Sequence, residues 1–404
     1  MKHQPDSGAL GRGSMSEGLE GLRGSVRLVP ETLSKASNDE WADVTLQIPD
    51  PSEPLVDPYM GVEGGRWEQP PSEKMLEAAQ VYCHVLTQRA AANFYHAMRY
   101  LPDQKRQALT AIYAFCRRAD DIADGDHLET FSGWSDEAFS DFDQYRAGLV
   151  ERGDYDTLVD GEAGLQRLRQ LYGLRMKMSS CFDDEIWLTD PVFMALKAAK
   201  QSYDFDRCDL DAVIDGMEDD LYVMHYRTAE QLETYCARVA SATGLLCIDV
   251  YQPFDRAAAR KHGYSLGQYM QMINILRDVK EDALLGRVYL PQNLLNEYGI
   301  DPESFAKGGP PSKDWRPFVN EWARRCNEEL EKAQPLFQEL PRDSRYSPAV
   351  MVALYRRILR RILRRPSDIF SKRVRVPTFQ KVVIALVTAL RIRLQPARPR
   401  RSAI

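Results

Sequence analysis

At 404 residues and 44% hydrophobic content, the chain has ample material for a core, in one domain or two. Its seven scattered cysteines never form CxxC, which argues against a disulfide scaffold or a zinc site and suits a reducing cytosol. Net charge is −6, but Met351–Ile404 holds fifteen Lys and Arg against one acid, Asp368; that net +14 leaves −20 on the 350 residues before it.

Residues 1–74 carry Gly, Ser and Pro clusters and little helical periodicity, so they read as a largely disordered or loosely packed extension. No apolar segment follows Lys2 as a secretory signal requires, and acids are too frequent for a transit peptide. From Ser72 helical signals take over. Met75–Cys83 starts one helix, Gln88–Arg99 continues the pattern, and Pro102-Asp103 opens a helix running through Tyr113. Further helices are predicted at 136–150, 161–179, 191–202, 209–224, 228–250, 255–283, 317–340 and 348–365. Strand-like alternation is almost absent, which predicts an all-α fold. No Walker A loop, GxGxxG, HExxH or GxSxG occurs.

Two acidic boxes stand out on these helices: Arg117-Arg118-Ala119-Asp120-Asp121-Ile122-Ala123-Asp124 and Arg277-Asp278-Val279-Lys280-Glu281-Asp282. Each sets carboxylates four residues apart, which on a helix aligns Asp120 with Asp124 and Asp278 with Asp282. A single such pair is usually a solvated face. Here both boxes adjoin strongly apolar sequence, and buried carboxylates need a compensating cation. An oxygen-only donor set suits Mg2+, with Mn2+ as the alternative ion, shared with substrate phosphates; the implied substrate is a diphosphate.

Around the boxes lie Asn93-Phe94-Tyr95 with Leu101-Pro102, Ala111–Arg117, Gly216-Met217 with Asp220, Tyr235 through Val239-Ala240 to Gly244, and the block Asn274–Gln292, NILRDVKEDALLGRVYLPQ. From about Thr87 to Phe379 this set resembles the squalene and phytoene synthase family, in its bacterial and plant form. The resemblance implies an isoprenoid-synthase helical fold with the two boxes facing each other across a central cavity. It implies that Asp120, Asp124, Asp278 and Asp282 bind the metal, with Asp121 and Glu281 as weaker ligands. Arg117 and Arg277 fall at diphosphate-side positions and Tyr235 at the reaction centre. Asn93, Phe94, Tyr113, Ala240, Gly244, Gln271, Asn274, Tyr355 and Arg373 fall at substrate-binding positions, the last two more loosely. Each also has a plainer reading: Tyr113 and Tyr235 as core aromatics, Gly244 as a helix-packing residue, the arginines as partners of the aspartates, and Gln271 with Asn274 as mutual partners. Two residues depart from the family pattern. Tyr269 stands where alanine is frequent and Asn93 where serine is common, so an altered cavity width or entrance is expected.

The activity so implied is head-to-head condensation of two prenyl diphosphates, with two geranylgeranyl diphosphates giving phytoene through a cyclopropyl diphosphate as the leading expectation. The alternative is a squalene-type reaction on farnesyl diphosphate, with NADPH if it proceeds to squalene. A non-catalytic, membrane-associated helical protein of the same fold ranks below both, because both boxes are intact. Residues 75–380 form the expected synthase domain and 381–404 a basic amphipathic tail. Its stretch Lys381–Leu394 is apolar between cations and far short of the roughly 20 residues that span a bilayer. It suits either an anionic membrane surface, on a cytoplasmic, peripheral enzyme, or a last core-packing helix. No nucleic-acid recognition motif accompanies the basic charge.

Overall fold

The computed structural model describes residues 66–67 and 70–394, apart from 91, 130, 132–135, 154–157, 159–160, 223–224 and 308–313. Most of the expected N-terminal extension and the last ten residues lie outside that range, as does the side chain of Asn93. The described fold is all-α, with one two-residue ladder, Arg66–Trp67 (β1) antiparallel to Trp187–Leu188 (β2).

In chain order the helices are α1 (Glu73–Ala90), α2 (Ala92–Met98), α3 (Asp103–Asp124), α4 (Phe142–Gly153), α5 (Glu162–Ser179), α6 (Pro191–Ser202) and α7 (Arg207–Tyr222). They continue with α8 (Ala229–Cys236), α9 (Ala242–Tyr251), α10 (Arg256–Leu284), α11 (Gln292–Glu297), α12 (Trp315–Ala333), α13 (Leu336–Glu339), α14 (Arg342–Arg364) and α15 (Thr378–Leu394). Their starts follow local chemistry. Asp190 accepts a hydrogen bond from Val192 N at 2.9 Å with Pro191 behind it, and Asp255 caps Ala258 N at 2.9 Å. Helix α3 stops at Gly125, whose φ of 81° a side chain would strain and whose N–H bonds back to Ile122 O.

Three boundaries differ from the sequence expectation. The helix expected at 136–150 is a 3-10 turn at Asp136–Phe139 followed by α4. The one expected over 317–340 begins at Trp315, ends at Ala333 and resumes as α13 past Pro335. Helix α14 begins six residues before Pro348, which sits inside it. A proline there forfeits one backbone hydrogen bond, but Tyr346, Ser347, Val350 and Leu354 are buried around it and their packing offsets the loss.

Helix α3 packs among α1, α6, α7 and α9, while α10 packs against α9, α12 and α14. Helix α9 lies between the two box-bearing helices and the space enclosed is the cavity. Closing the structure, α15 packs on α14 and α2 through buried Ala385 and Ile392, so the boundary drawn at 380/381 falls inside this helix.

Candidate active site

Both boxes sit in the last two turns of their helices, α3 and α10. Carboxylates at a helix C-terminus oppose the macrodipole, so neither location is favourable without cations. A cavity of about 960 Å³ opens beside them. Twelve of the expected site residues form its wall: Phe94, Tyr113, Arg117, Asp120, Tyr235, Ala240, Gly244, Gln271, Asn274, Arg277, Tyr355 and Arg373. The remaining acids, Asp121, Asp124, Asp278, Glu281 and Asp282, belong to the same helix ends without forming the wall itself.

The arginines grip the boxes differently. Arg117 Nη1 donates to Asp120 Oδ2 at 3.0 Å, and its other nitrogen pairs with Asp121. Asp278 is held by two guanidinium groups: Arg373 donates a fork of two 2.8 Å bonds, and Arg277 donates through Nε at 2.8 Å and through Nη2. Asn274 Nδ2 donates to Gln271 Oε1 at 3.1 Å, as the mutual-partner reading expects, yet the buried Asn274 Oδ1 has no partner. Glu281 Oε2 is likewise buried and unpaired.

These contacts set the electrostatics. Burial pushes the Asp120 carboxyl up to about 7 in spite of Arg117. Burial, with the charges of Asp278 and Asp220 nearby, pushes Asp282 up to about 8, and burial pushes Asp220 up to about 6. For Asp278 burial acts in the same direction, but the hydrogen bonds and charges of Arg277 and Arg373 hold its carboxyl below the usual range. Carboxyls raised together by burial and by one another are an excess of anionic donors that a divalent cation would relieve.

The donor set therefore fits a hard cation, in an open form. Among the described residues, the one group of three carboxylates within 4.8 Å of one another is Asp206, Asp209 and Asp249, away from the boxes. That group is neutralised by Arg256, which bonds Asp249 and Asp206 at 2.8 Å, and by Arg260, which bonds Asp249 at 2.7 Å and Asp209 at 2.8 Å, so it is an ion-pair network. The wider spacing of the box carboxylates suits an ion that takes one or two of them and completes its shell with water and phosphate oxygens.

The rest of the wall is mostly apolar, with Val213, Met217, Leu266, Met270, Met351 and Ile358. Between α8 and α9 a π-turn, Ala237–Ser241, aims Val239 and Ala240 into the cavity. Helix α10 crosses this turn so closely that a Cβ on Gly267 would lie 2.4 Å from Ser241 Cα. Gly244 carries no such constraint, since its nearest neighbour would be 3.8 Å away; it lines the cavity and leaves width. Tyr269 does not line the cavity. It is fully buried on another face of α10, near Cys326 of α12, and its ring is absent from the wall.

Several residues at the site were given no role from sequence. Asp220 accepts hydrogen bonds from Tyr235 Oη at 3.0 Å and from Tyr289 Oη at 2.8 Å. The Tyr235 and Tyr289 rings stack with centroids 5.0 Å apart, with Tyr226 beside both. Arg287 reaches Asp124 at 3.3 Å. Asp220, Arg287 and Tyr289 lie inside the motif segments, where they carried no pattern of their own. Lys381, expected to flank the tail, lines the cavity, where burial and then Arg375 and Arg277 lower its pKa.

The sequence profile of the squalene/phytoene synthase family matches residues 87–380. A 15-cis-phytoene synthase of Synechococcus elongatus is 30% identical over 334 residues, covering 80% of this chain and 96% of its own length. A phytoene synthase of Mycobacterium tuberculosis is 29% identical, covering 77% of this chain and 91% of its own. Among solved structures, a dehydrosqualene synthase superposes with a TM-score of 0.62 at 23% identity, over 79% of this chain and 98% of that one. A squalene synthase from Alicyclobacillus acidocaldarius gives 0.58 at 20% identity, over 74% and 97%. The helical fold is thus shared with those enzymes, and the chain belongs to the squalene/phytoene synthase family.

Proposed function

We propose that this chain is a metal-dependent prenyltransferase of carotenoid biosynthesis that condenses two geranylgeranyl diphosphates head to head to phytoene, through a cyclopropyl diphosphate. The observation that carries the reading is a single cavity of about 960 Å³ whose wall joins Arg117, Asp120 and Arg277 to a largely apolar remainder. That division matches a substrate with a charged head and a long hydrocarbon tail. The two relatives named phytoene synthase above, matched over more than nine-tenths of their length, favour the twenty-carbon substrate.

Asp120, Asp124 and Asp282 would hold Mg2+, or Mn2+ in its place, with Asp278, Asp121 and Glu281 around them. When bound, the ion supplies Lewis-acid neutralisation of the diphosphate as it leaves. Arg117 and Arg277 present guanidinium donors to the same oxygens, where fork geometry suits phosphate. Lys381 adds a third cation at the wall. Tyr113 and Tyr235 line the cavity, where an aromatic ring can stabilise developing allylic cation character, and the apolar wall excludes the water that would quench it. Asp220 fixes the Tyr235 hydroxyl and so orients its ring.

Helix α15 supports a peripheral membrane site on the cytoplasmic face. No described helix is long and apolar enough to cross a membrane. One face of α15 is packed, while Phe379, Val383, Leu386, Val387, Leu390 and Leu394 are 43–75% exposed at a helical spacing that puts them side by side. Arg391 and the exposed Arg360, Arg364 and Arg365 supply cations for an anionic lipid surface. Both sequence readings of this segment find support, one on each face.

The deciding assay incubates the full chain with geranylgeranyl or farnesyl diphosphate and Mg2+, with and without NADPH, and identifies products by mass. Phytoene is expected from the first. Product from farnesyl diphosphate alone would transfer the reading to the squalene type, and no product from either would reduce the chain to a non-catalytic relative.

A further inference from the structure

We infer that Arg287 is a built-in counter-ion that tethers the second aspartate helix to the first in the metal-free enzyme and yields Asp124 when a divalent cation binds. This rests on the reading of the boxes as a cation site.

Arg287 sits in the turn that ends α10. Its backbone N–H donates to Asp282 O at 2.9 Å, and Gly286, at φ 78°, makes the turn. Two residues on, Tyr289 is anchored to Asp220 at 2.8 Å, so the turn is pinned at both ends. From there the guanidinium reaches across to Asp124 Oδ1 of α3 at 3.3 Å, half-buried, and its charge acts on Asp220 and Asp282 as well.

Among the described ion pairs, none of the other cations at the boxes joins one box to the other. Arg117 pairs with Asp120 and Asp121 beside it, Arg277 pairs with adjacent Asp278, and Arg373 reaches the same Asp278. Among the described ion pairs, Arg287–Asp124 is the one that joins the α10 segment to the first box. Its geometry is that of an exchangeable contact: one 3.3 Å approach, against the two 2.8 Å bonds by which Arg373 forks Asp278. Without a cation between them, Asp124, Asp220 and Asp282 repel across low-dielectric space. The tether offsets that repulsion, and a metal ion that takes over Asp124 must compete with it.

Two readouts test this without turnover: Mg2+ titration calorimetry in the presence of inorganic pyrophosphate, and thermal melts in EDTA and in Mg2+. Arg287→Met removes the competitor and the tether together. It is expected to bind Mg2+ about tenfold more tightly than wild type. It should also melt lower in EDTA, with Mg2+ restoring most of the difference. Arg287→Lys should lie between the two proteins. Mg2+ affinity unchanged or weakened in Arg287→Met, or an EDTA melt equal to wild type, overturns the inference while leaving the metal reading intact. If wild type itself takes up no Mg2+ with pyrophosphate, both fall. Should Arg287→Met not fold even with Mg2+, Arg287→Lys decides: a melt loss that Mg2+ restores supports the tether, and one that Mg2+ leaves in place overturns it.

Discussion

In the box on α3, Asp120 keeps one contact, to Arg117 at 3.0 Å, and its carboxyl is pushed up to about 7. In the box on α10, Asp278 is gripped by two guanidinium groups and held below the usual carboxylate range, while Asp282, one turn on, is pushed up to about 8. The lesson is that the leading carboxylates of the two boxes are in opposite states. Asp120 and Asp282 are poised to gain from a cation, whereas Asp278 already has its counter-charge. On the proposed metal reading, the α3 box would offer ligands, and the first acid of the α10 box would serve first to position Arg277 and Arg373.

The largest effect that would break this contrast is on turnover. Asp120→Ala, Asp124→Ala and Asp282→Ala should each lower the rate by about 10²–10³-fold, on the scale of losing about 2.7–4 kcal/mol of charge stabilisation in the transition state. Their metal-free folds should persist. Near-normal rates at saturating Mg2+ in any two would remove them from the metal site.

Stability sharpens the contrast. Asp278→Asn leaves Arg277 and the partly exposed Arg373 without their anion; breaking a fully buried pair costs about 3–5 kcal/mol, so a loss at or below the lower end of that range is expected. Asp282→Asn removes a carboxyl that burial disfavours, so the metal-free protein should melt at or above the wild-type temperature. Equal destabilisation by the two variants would mean that the boxes are equivalent.

The pH dependence follows from the same signs. Asp120, Asp220 and Asp282 have carboxyls raised to about 7, 6 and 8, so between the ordinary carboxylate value and pH 8 the folded state binds more protons than the unfolded one. Metal-free stability should fall as pH rises through that window. Asp278 contributes the opposite way, with stability present above its unfolded value and lost as pH falls below it. Mg2+ affinity should rise from pH 6 to 8, with proton release on binding measured by calorimetry in two buffers. A flat profile would contradict the raised values.

Much of this was legible in the chain, for physical reasons. Carboxylates at i and i+4 must share a helix face, so the boxes and most of their helices could be read directly. What escaped depends on contacts between distant segments. Nothing local marks Lys381 as a cavity residue, because its position is set by how α15 docks on α14 and α2. Tyr269 departs from the family pattern, which predicts an altered cavity width or entrance, but its place on α10 turns it toward α12 and out of the cavity wall. Pro348 reads as a helix start, and burial of the residues around it lets the helix begin at Arg342. The fork from Arg373 to Asp278 spans 95 residues and has no sequence signature.

The smallest expected effect concerns α15, whose two faces make a second contrast. Leu386→Ser with Leu390→Ser changes the exposed face, at 53% and 59% exposure, and leaves buried Ala385 and Ile392 in place. Vesicle binding should weaken by tenfold or more, since each leucine buried in lipid contributes about 1.5–3 kcal/mol. Activity on detergent-dispersed substrate should be unchanged. Undiminished binding to anionic vesicles would rule out this face as the anchor.

The most direct measurement is anomalous diffraction from crystals grown with Mn2+ and a non-reacting thiodiphosphate analogue of geranylgeranyl diphosphate. Peaks are expected beside Asp120 and Asp124 of α3 and Asp282 of α10, with the analogue's phosphates completing the shells and nothing at Asp206, Asp209 and Asp249. Manganese at that second cluster, or its absence from the boxes while the analogue is bound, would contradict the assignment.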